Sequence, residues 1–124
     1  MTIEECAKKL EKQKTKYTHK ADEAAKETTN ARYTGRASAL EDVIDELSKV
    51  ERTDDAMYDL RCMLREKERE AQYKSMTEDF DASYSTVDGE AAYYHGYQLG
   101  MAEALKHMSD IESFDKEDEE EYDR

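Results

Sequence analysis

From Ile3 the positions 3, 7, 10, 14, 17, 21, 24, 28 and 31 step alternately by four and three, and seven of them are Ile3, Ala7, Leu10, Tyr17, Ala21, Ala24 and Ala31. That spacing returns an apolar stripe to one face of an α-helix. Lys14 and Thr28 interrupt it. Beyond Ala31 the apolar positions restart at Tyr33, Ala37, Leu40, Ile44 and Leu47. This phase slip predicts a long N-terminal, heptad-like helix kinked near Gly35, as one bent helix or two shorter ones. Thr53 ahead of Asp54 and Asp55 has the form of an N-cap followed by first-turn acids, which face the positive end of the helix dipole. Met57, Leu60, Leu64 and Ala71 continue that helix to about Met76. Residues 77–90 are polar, and Ser85 with Asp88 three later resembles a capping box. A last helix is predicted from about Thr86 to Ile111, with Tyr94, Tyr97, Met101, Leu105 and Met108 facing inward.

Composition supports this reading. Proline is absent and glycine occurs four times, so most turn punctuation is missing and long helices are favoured. The expected fold is all-α: three to four helices in one bundle over residues 1–111, followed by an acidic tail over 112–124. Leu, Ile, Val and Phe number only 15 of 124 residues, so ordinary core material is scarce. Fourteen Ala, nine Tyr and six Met are available to replace it, by close helix approach and adaptable apolar surface. The pattern G-x-A-x-A-L occurs twice, from Gly35 to Leu40 and from Gly100 to Leu105. Each copy belongs to a ridge of small residues at helical spacing, Ala31, Gly35 and Ala39 in one and Gly96, Gly100 and Ala104 in the other. A glycine inside a helix costs about 1 kcal/mol against alanine. The ridges are therefore expected to pack, either on each other or on a symmetry mate in a homodimer.

Catalytic chemistry is hard to assemble from these residues. Asp79 to Glu90 places oxygen side chains at loop positions 1, 3, 5, 7 and 12, as a calcium-binding EF-hand does. Tyr84 stands where that loop needs glycine, and Thr86 where an apolar residue packs, so a solvated loop is expected instead. Among His19, His95 and His107, only His107 has an acid at i−4, Glu103, and the pair reads as an exposed helical ion pair. The all-α nucleotide pyrophosphohydrolases hold magnesium on paired acids, which draws attention to Asp42, Asp45, Glu51 and Asp54. Glu51 and Asp54 straddle the predicted helix break at Thr53 and do not share a face. Cys6 and Cys62 lack CxxC spacing and are expected to be free thiols. No phosphate loop or nucleophile elbow is present. The expectation is a protein without catalysis, metal or cofactor.

Charge changes the picture more. The net charge is −13, distributed as nine bases and six acids in residues 1–36, seven and eleven in 37–76, and three and fifteen in 77–124. Such a chain is repelled by free nucleic acid and anionic lipid. The charge-alternating N-terminus and the lack of a long apolar run lead to an expectation of the cytoplasm. From Asp110 to Asp123 there are nine acids and one base. On a helix that density is a carboxylate about every 2.3 Å, against about 1.7 Å per charge in duplex DNA. The candidate partner-binding residues are Asp42, Asp45, Glu46, Asp54, Asp55, Asp59, Asp79, Asp81, Asp88, Glu90, Asp110, Glu112 and Asp115.

In its length, its acidic, Tyr-rich C-terminal half ending Glu119-Glu120-Glu121-Tyr122-Asp123, and its Tyr33/Gly35 and Tyr94/Gly96 helices, the chain resembles the small acidic helical proteins used against host defence. Those proteins come from phages and mobile elements, and include anti-CRISPR proteins and DNA mimics. The resemblance implies a stoichiometric inhibitor of a CRISPR nuclease or another basic DNA-binding enzyme. The alternative is a helical homodimerisation or adaptor module, to which the mildly basic N-terminal third would contribute an arm.

Overall fold

A computed structural model describes residues 1–77 and 85–114, with side chains for all of these except 77 and 85–88. Four helices make an all-α bundle: α1 (Ile3–Glu23), α2 (Glu27–Lys49), α3 (Asp54–Thr77) and α4 (Ser85–Met108). Local chemistry sets two of the starts. Thr2 and Glu5 form a reciprocal capping box, with the Glu5 N–H donating to Thr2 Oγ1 at 3.1 Å and the Thr2 N–H to Glu5 Oε1 at 3.2 Å. Thr53 Oγ1 accepts from the Ala56 N–H at 3.1 Å, which caps α3.

The expected break near Gly35 is not there. Helix α2 runs uninterrupted through Gly35, and the break falls at Ala24, Ala25 and Lys26. Two alanines and a lysine are good helix formers, so propensity does not make this turn. Tertiary bonds hold it: Asn30 Nδ2 donates to the Ala21 carbonyl at 2.7 Å, and Tyr17 and Tyr33 stack across the hairpin with ring centroids 6.1 Å apart. Beyond α4, residues 112–114 stay against the bundle. The Glu112 N–H donates to the Met1 carbonyl at 2.9 Å, the Phe114 N–H donates to Asp54 Oδ1 at 2.8 Å, and Phe114 packs on the core.

These bonds, with the Arg52–Glu4 ion pair, gather the starts of α1 and α3 and the ends of α2 and α4 at one end of the bundle. Helices α2 and α4 therefore run parallel as the central pair, while α1 packs mainly on α2 and α3 on α4. The central crossing is made by glycine. A methyl group on Gly35 would lie 2.9 Å from the Tyr93 carbonyl carbon and closer still to its oxygen. One on Gly96 would lie 2.7 Å from the Arg32 carbonyl carbon, and one on Gly100 would lie 2.7 Å from Ala39 Cβ. Ala39 and Ala104 are fully buried at this seam, with Ala31 half-buried.

The bundle is two equivalent hairpins. Ile3, Cys6, Leu10 and Tyr17 of α1 recur 54 positions later as Met57, Leu60, Leu64 and Ala71 of α3, and all eight are buried. Leu40, Val43 and Leu47 of α2 recur 61 positions later as Met101, Ala104 and Met108 of α4, again all buried. The difference of seven residues lies in the connection inside each hairpin. Gly35 corresponds to Gly96, and their contacts are reciprocal: Gly35 touches Tyr93, whose counterpart Arg32 touches Gly96. The G-x-A-x-A-L echo, which aligns Gly35 with Gly100, is thus four residues, about one turn, out of structural register.

Candidate functional site

Folding converts a gradient along the chain into a gradient along the bundle. The half holding residues 1–12, 38–64 and 97–114 carries fourteen acids and seven bases. The opposite half, with residues 13–37, 65–77 and 85–96, carries eight acids and ten bases. One end is strongly acidic because all four helices meet there with acids: Glu4 and Glu5 open α1, Asp45 and Glu46 close α2 with Glu51 just beyond it, Asp54, Asp55 and Asp59 open α3, and Asp110 and Glu112 follow α4.

Of the expected partner-binding acids, eight share this end, while Glu90 lies at the opposite one. Not all eight are available. Asp42 accepts from the Tyr97 hydroxyl at 2.5 Å, and Asp45 pairs with Lys49 at 2.8 Å. Asp54 accepts from the Ser113 hydroxyl at 2.6 Å as well as from Phe114, and Glu112 lies 3.5 Å from the N-terminal ammonium. Asp54 and Glu112 are therefore struts of the C-terminal segment. Glu46, Asp55, Asp59 and Asp110 remain as the outward set. Asp79, Asp81 and Asp115, the Asp88 side chain, most of the calcium-loop segment and the tail beyond 114 lie outside the described residues.

A polar bridge crosses the α2–α4 seam on each side. On the α1 side, Arg36 of α2 lies 3.5 Å from Glu103 of α4, and the Tyr17 hydroxyl donates to Glu103 at 2.9 Å. The Arg36 guanidinium sits over the Tyr17 ring, 4.4 Å from its centroid. Burial, and then the bond to Glu103, push the Tyr17 phenol up to about 12. Glu103 therefore turns inward, and the expected exposed pair with His107 does not form. On the α3 side the counterparts of Arg36 and Glu103 are Tyr97 and Asp42, joined by their own hydrogen bond. Burial and that bond raise Tyr97 above the ordinary tyrosine range.

The α3 side also carries an open groove of about 350 Å³, lined by Lys67, Glu70, Ala71, Lys74, Tyr93, Tyr94 and Tyr97. No sequence pattern announced it, because it depends on which residue of α3 faces the tyrosines of α4. Among the described residues no group of three His, Cys, Asp or Glu is placed to hold a metal ion, and no helix is long and apolar enough to cross a membrane. No family model, curated protein or solved structure matches the chain.

Proposed function

We propose that this chain is a non-catalytic binding inhibitor, of the anti-CRISPR or DNA-mimic type, whose acidic end occupies the basic groove of a nucleic-acid enzyme such as a CRISPR nuclease. The observation that carries this reading is the convergence of carboxylates on one end of a bundle, on helix-end turns and the short connections between them, whose backbone is already ordered. Pre-ordered charge binds without the entropy cost that a disordered acidic segment pays. Host cytoplasm is the compartment in which such an inhibitor acts.

The test is displacement of fluorescein-labelled duplex DNA from a panel of purified CRISPR nucleases and restriction enzymes, over about 50 to 500 mM salt. An inhibitor of this kind displaces DNA from at least one enzyme, loses affinity steeply with salt, and is inactivated by the combined reversal Glu46→Lys, Asp55→Lys and Asp59→Lys. Displacement that survives the reversal sinks the reading, as does failure against the whole panel.

A specific observation favours the adaptor reading as the second. Tyr58, Tyr73 and Met76 are each more than 60% exposed on the outward side of α3, where a partner helix would find apolar surface. Sedimentation showing a dimer disrupted by Tyr58→Ser and Met76→Ser would select it.

A further inference from the structure

The equivalence of the two hairpins makes each half a template for the other. In the first half the space between α1 and the α2–α4 seam is filled by the Tyr17 ring. It stacks on Tyr33, lies beneath Arg36 and donates its hydroxyl to Glu103. In the second half nearly every element of that nest has its counterpart. Tyr94 stands for Tyr33, Tyr97 for Arg36, Asp42 for Glu103, and Lys74 over Tyr94 at 5.2 Å for Lys20 over Tyr33 at 5.5 Å. The ring is missing, and a tyrosine, Tyr97, stands where the Arg36 cation covers it in the first half. The counterpart of Tyr17 is Ala71, and the groove of about 350 Å³ opens directly over it.

We propose that this groove is a binding site for a phenolic ring, which takes the place that Tyr17 holds in the other half. The walls suit it: Tyr93, Tyr94 and Tyr97 offer aromatic faces, and stacked or tilted ring pairs are favourable beyond the area they bury. The lining offers an acceptor, the Glu70 carboxylate, whose Oε1 lies 3.4 Å from Lys74 Nζ and whose second oxygen can take a ligand hydroxyl. Lys67 stands at the rim with no carboxylate in ion-pair reach among the described residues, and tolerates a polar or anionic substituent on the ring. The volume lies at the lower end of the range for small-ligand sites. The ring comes either from a free phenol or from a tyrosine side chain of a partner protein; the chemistry is the same.

The experiment titrates the full chain, ¹³C-labelled at alanine methyls and tyrosine rings, with p-cresol, toluene and N-acetyl-tyrosinamide. Expected are saturable shifts at Ala71, Tyr94 and Tyr97, with p-cresol binding about tenfold tighter than toluene because its hydroxyl reaches a carboxylate. Binding of N-acetyl-tyrosinamide as well as p-cresol identifies a tyrosine-bearing chain as the source, and binding of p-cresol alone a free phenol. Ala71→Tyr fills the groove from within, so it abolishes p-cresol binding and raises the melting temperature. Tyr17→Ala empties the first nest, lowers the melting temperature, and recovers part of it in p-cresol. The proposal is overturned if wild-type protein shows no saturable shift at the three residues, or if p-cresol and toluene bind alike. It is equally overturned if p-cresol rescues Tyr17→Ala while leaving the Ala71 groove empty, since the method would then have seen a phenol and found none there.

Discussion

Substituting Gly96 by alanine sets two opposing terms against each other. Alanine favours the helix by about 1 kcal/mol. The new methyl would lie 2.7 Å from the Arg32 carbonyl carbon and nearer to its oxygen, where ordinary contact needs about 3.4 Å. The obstacle is backbone of a helix that α1 holds from behind, so α2 and α4 must part along the seam that buries Leu40, Val43, Met101 and Ala104. Overpacking costs about 1–3 kcal/mol, and an unyielding neighbour puts this case near the top. The net loss is about 2 kcal/mol, or roughly 8 °C in melting temperature at this chain length. Gly89 is the control: among the described residues its methyl would meet the Glu27 side chain, whose movable Oε1 lies at 3.4 Å. Gly89→Ala should raise the melting temperature by a few degrees. Circular dichroism at 222 nm during thermal and urea unfolding reads both. Gly35→Ala and Gly96→Ala together should cost less than their sum, because the first already separates the helices. A Gly96→Ala protein as stable as wild type would refute the close crossing.

Native thiol labelling should modify one cysteine, because Cys6 is fully enclosed and Cys62 is half-buried; urea should release the second, and two fast thiols in the native state would contradict the packing of α1. The Tyr17 phenol ionises near 12 in the folded chain against 10.0 ordinarily, so its stabilising contribution is complete below pH 10 and disappears as the pH climbs through 12. Tyr17→Phe should remove this part of the alkaline loss of stability and leave the part due to Tyr97, measured by urea unfolding at stepped alkaline pH. Leu64→Ala, at a side chain with no exposure, should cost about 2–5 kcal/mol by urea unfolding. A loss under 1 kcal/mol would show that α3 is not seated as described.

The helices were legible wherever a side chain speaks for its own neighbourhood. Thr53 and the acids behind it mark the start of α3, and Met57, Leu60 and Leu64 mark its buried face. The α1–α2 turn was not legible, because Ala24, Ala25 and Lys26 carry no breaking signal and the Asn30 bond that closes the turn joins residues nine apart. Small-residue ridges pointed to a close crossing, but letter identity aligned Gly35 with Gly100, whereas burial aligns it with Gly96. Burial sees only size and polarity, so Leu40 answers to Met101 and Val43 to Ala104 with no shared letter. Glu103 looked exposed by spacing; its partners, Tyr17 and Arg36, lie on two other helices. The groove was invisible for the same reason.

The acidic end has an ordinary explanation that can be separated from a binding role. Asp55 lies in the first turn of α3, where a carboxylate stabilises the helix through its dipole by about 0.3–1 kcal/mol. Folding alone accounts for it. Glu46 is in the last turn of α2 and Asp110 lies just past α4, where the dipole is negative and the same charge is disfavoured. A stability-only surface would place bases there, as it does with Lys49 and Lys106. Glu46→Gln and Asp110→Asn should therefore each raise the melting temperature by about 1–3 °C at low salt, while Asp55→Asn lowers it by a similar amount. The shifts should shrink at high salt. If the acidic end works as proposed, the two stabilised variants displace DNA less well than wild type, a trade of stability for binding that helix capping does not produce. Loss of stability in Glu46→Gln and Asp110→Asn would return those carboxylates to a structural role.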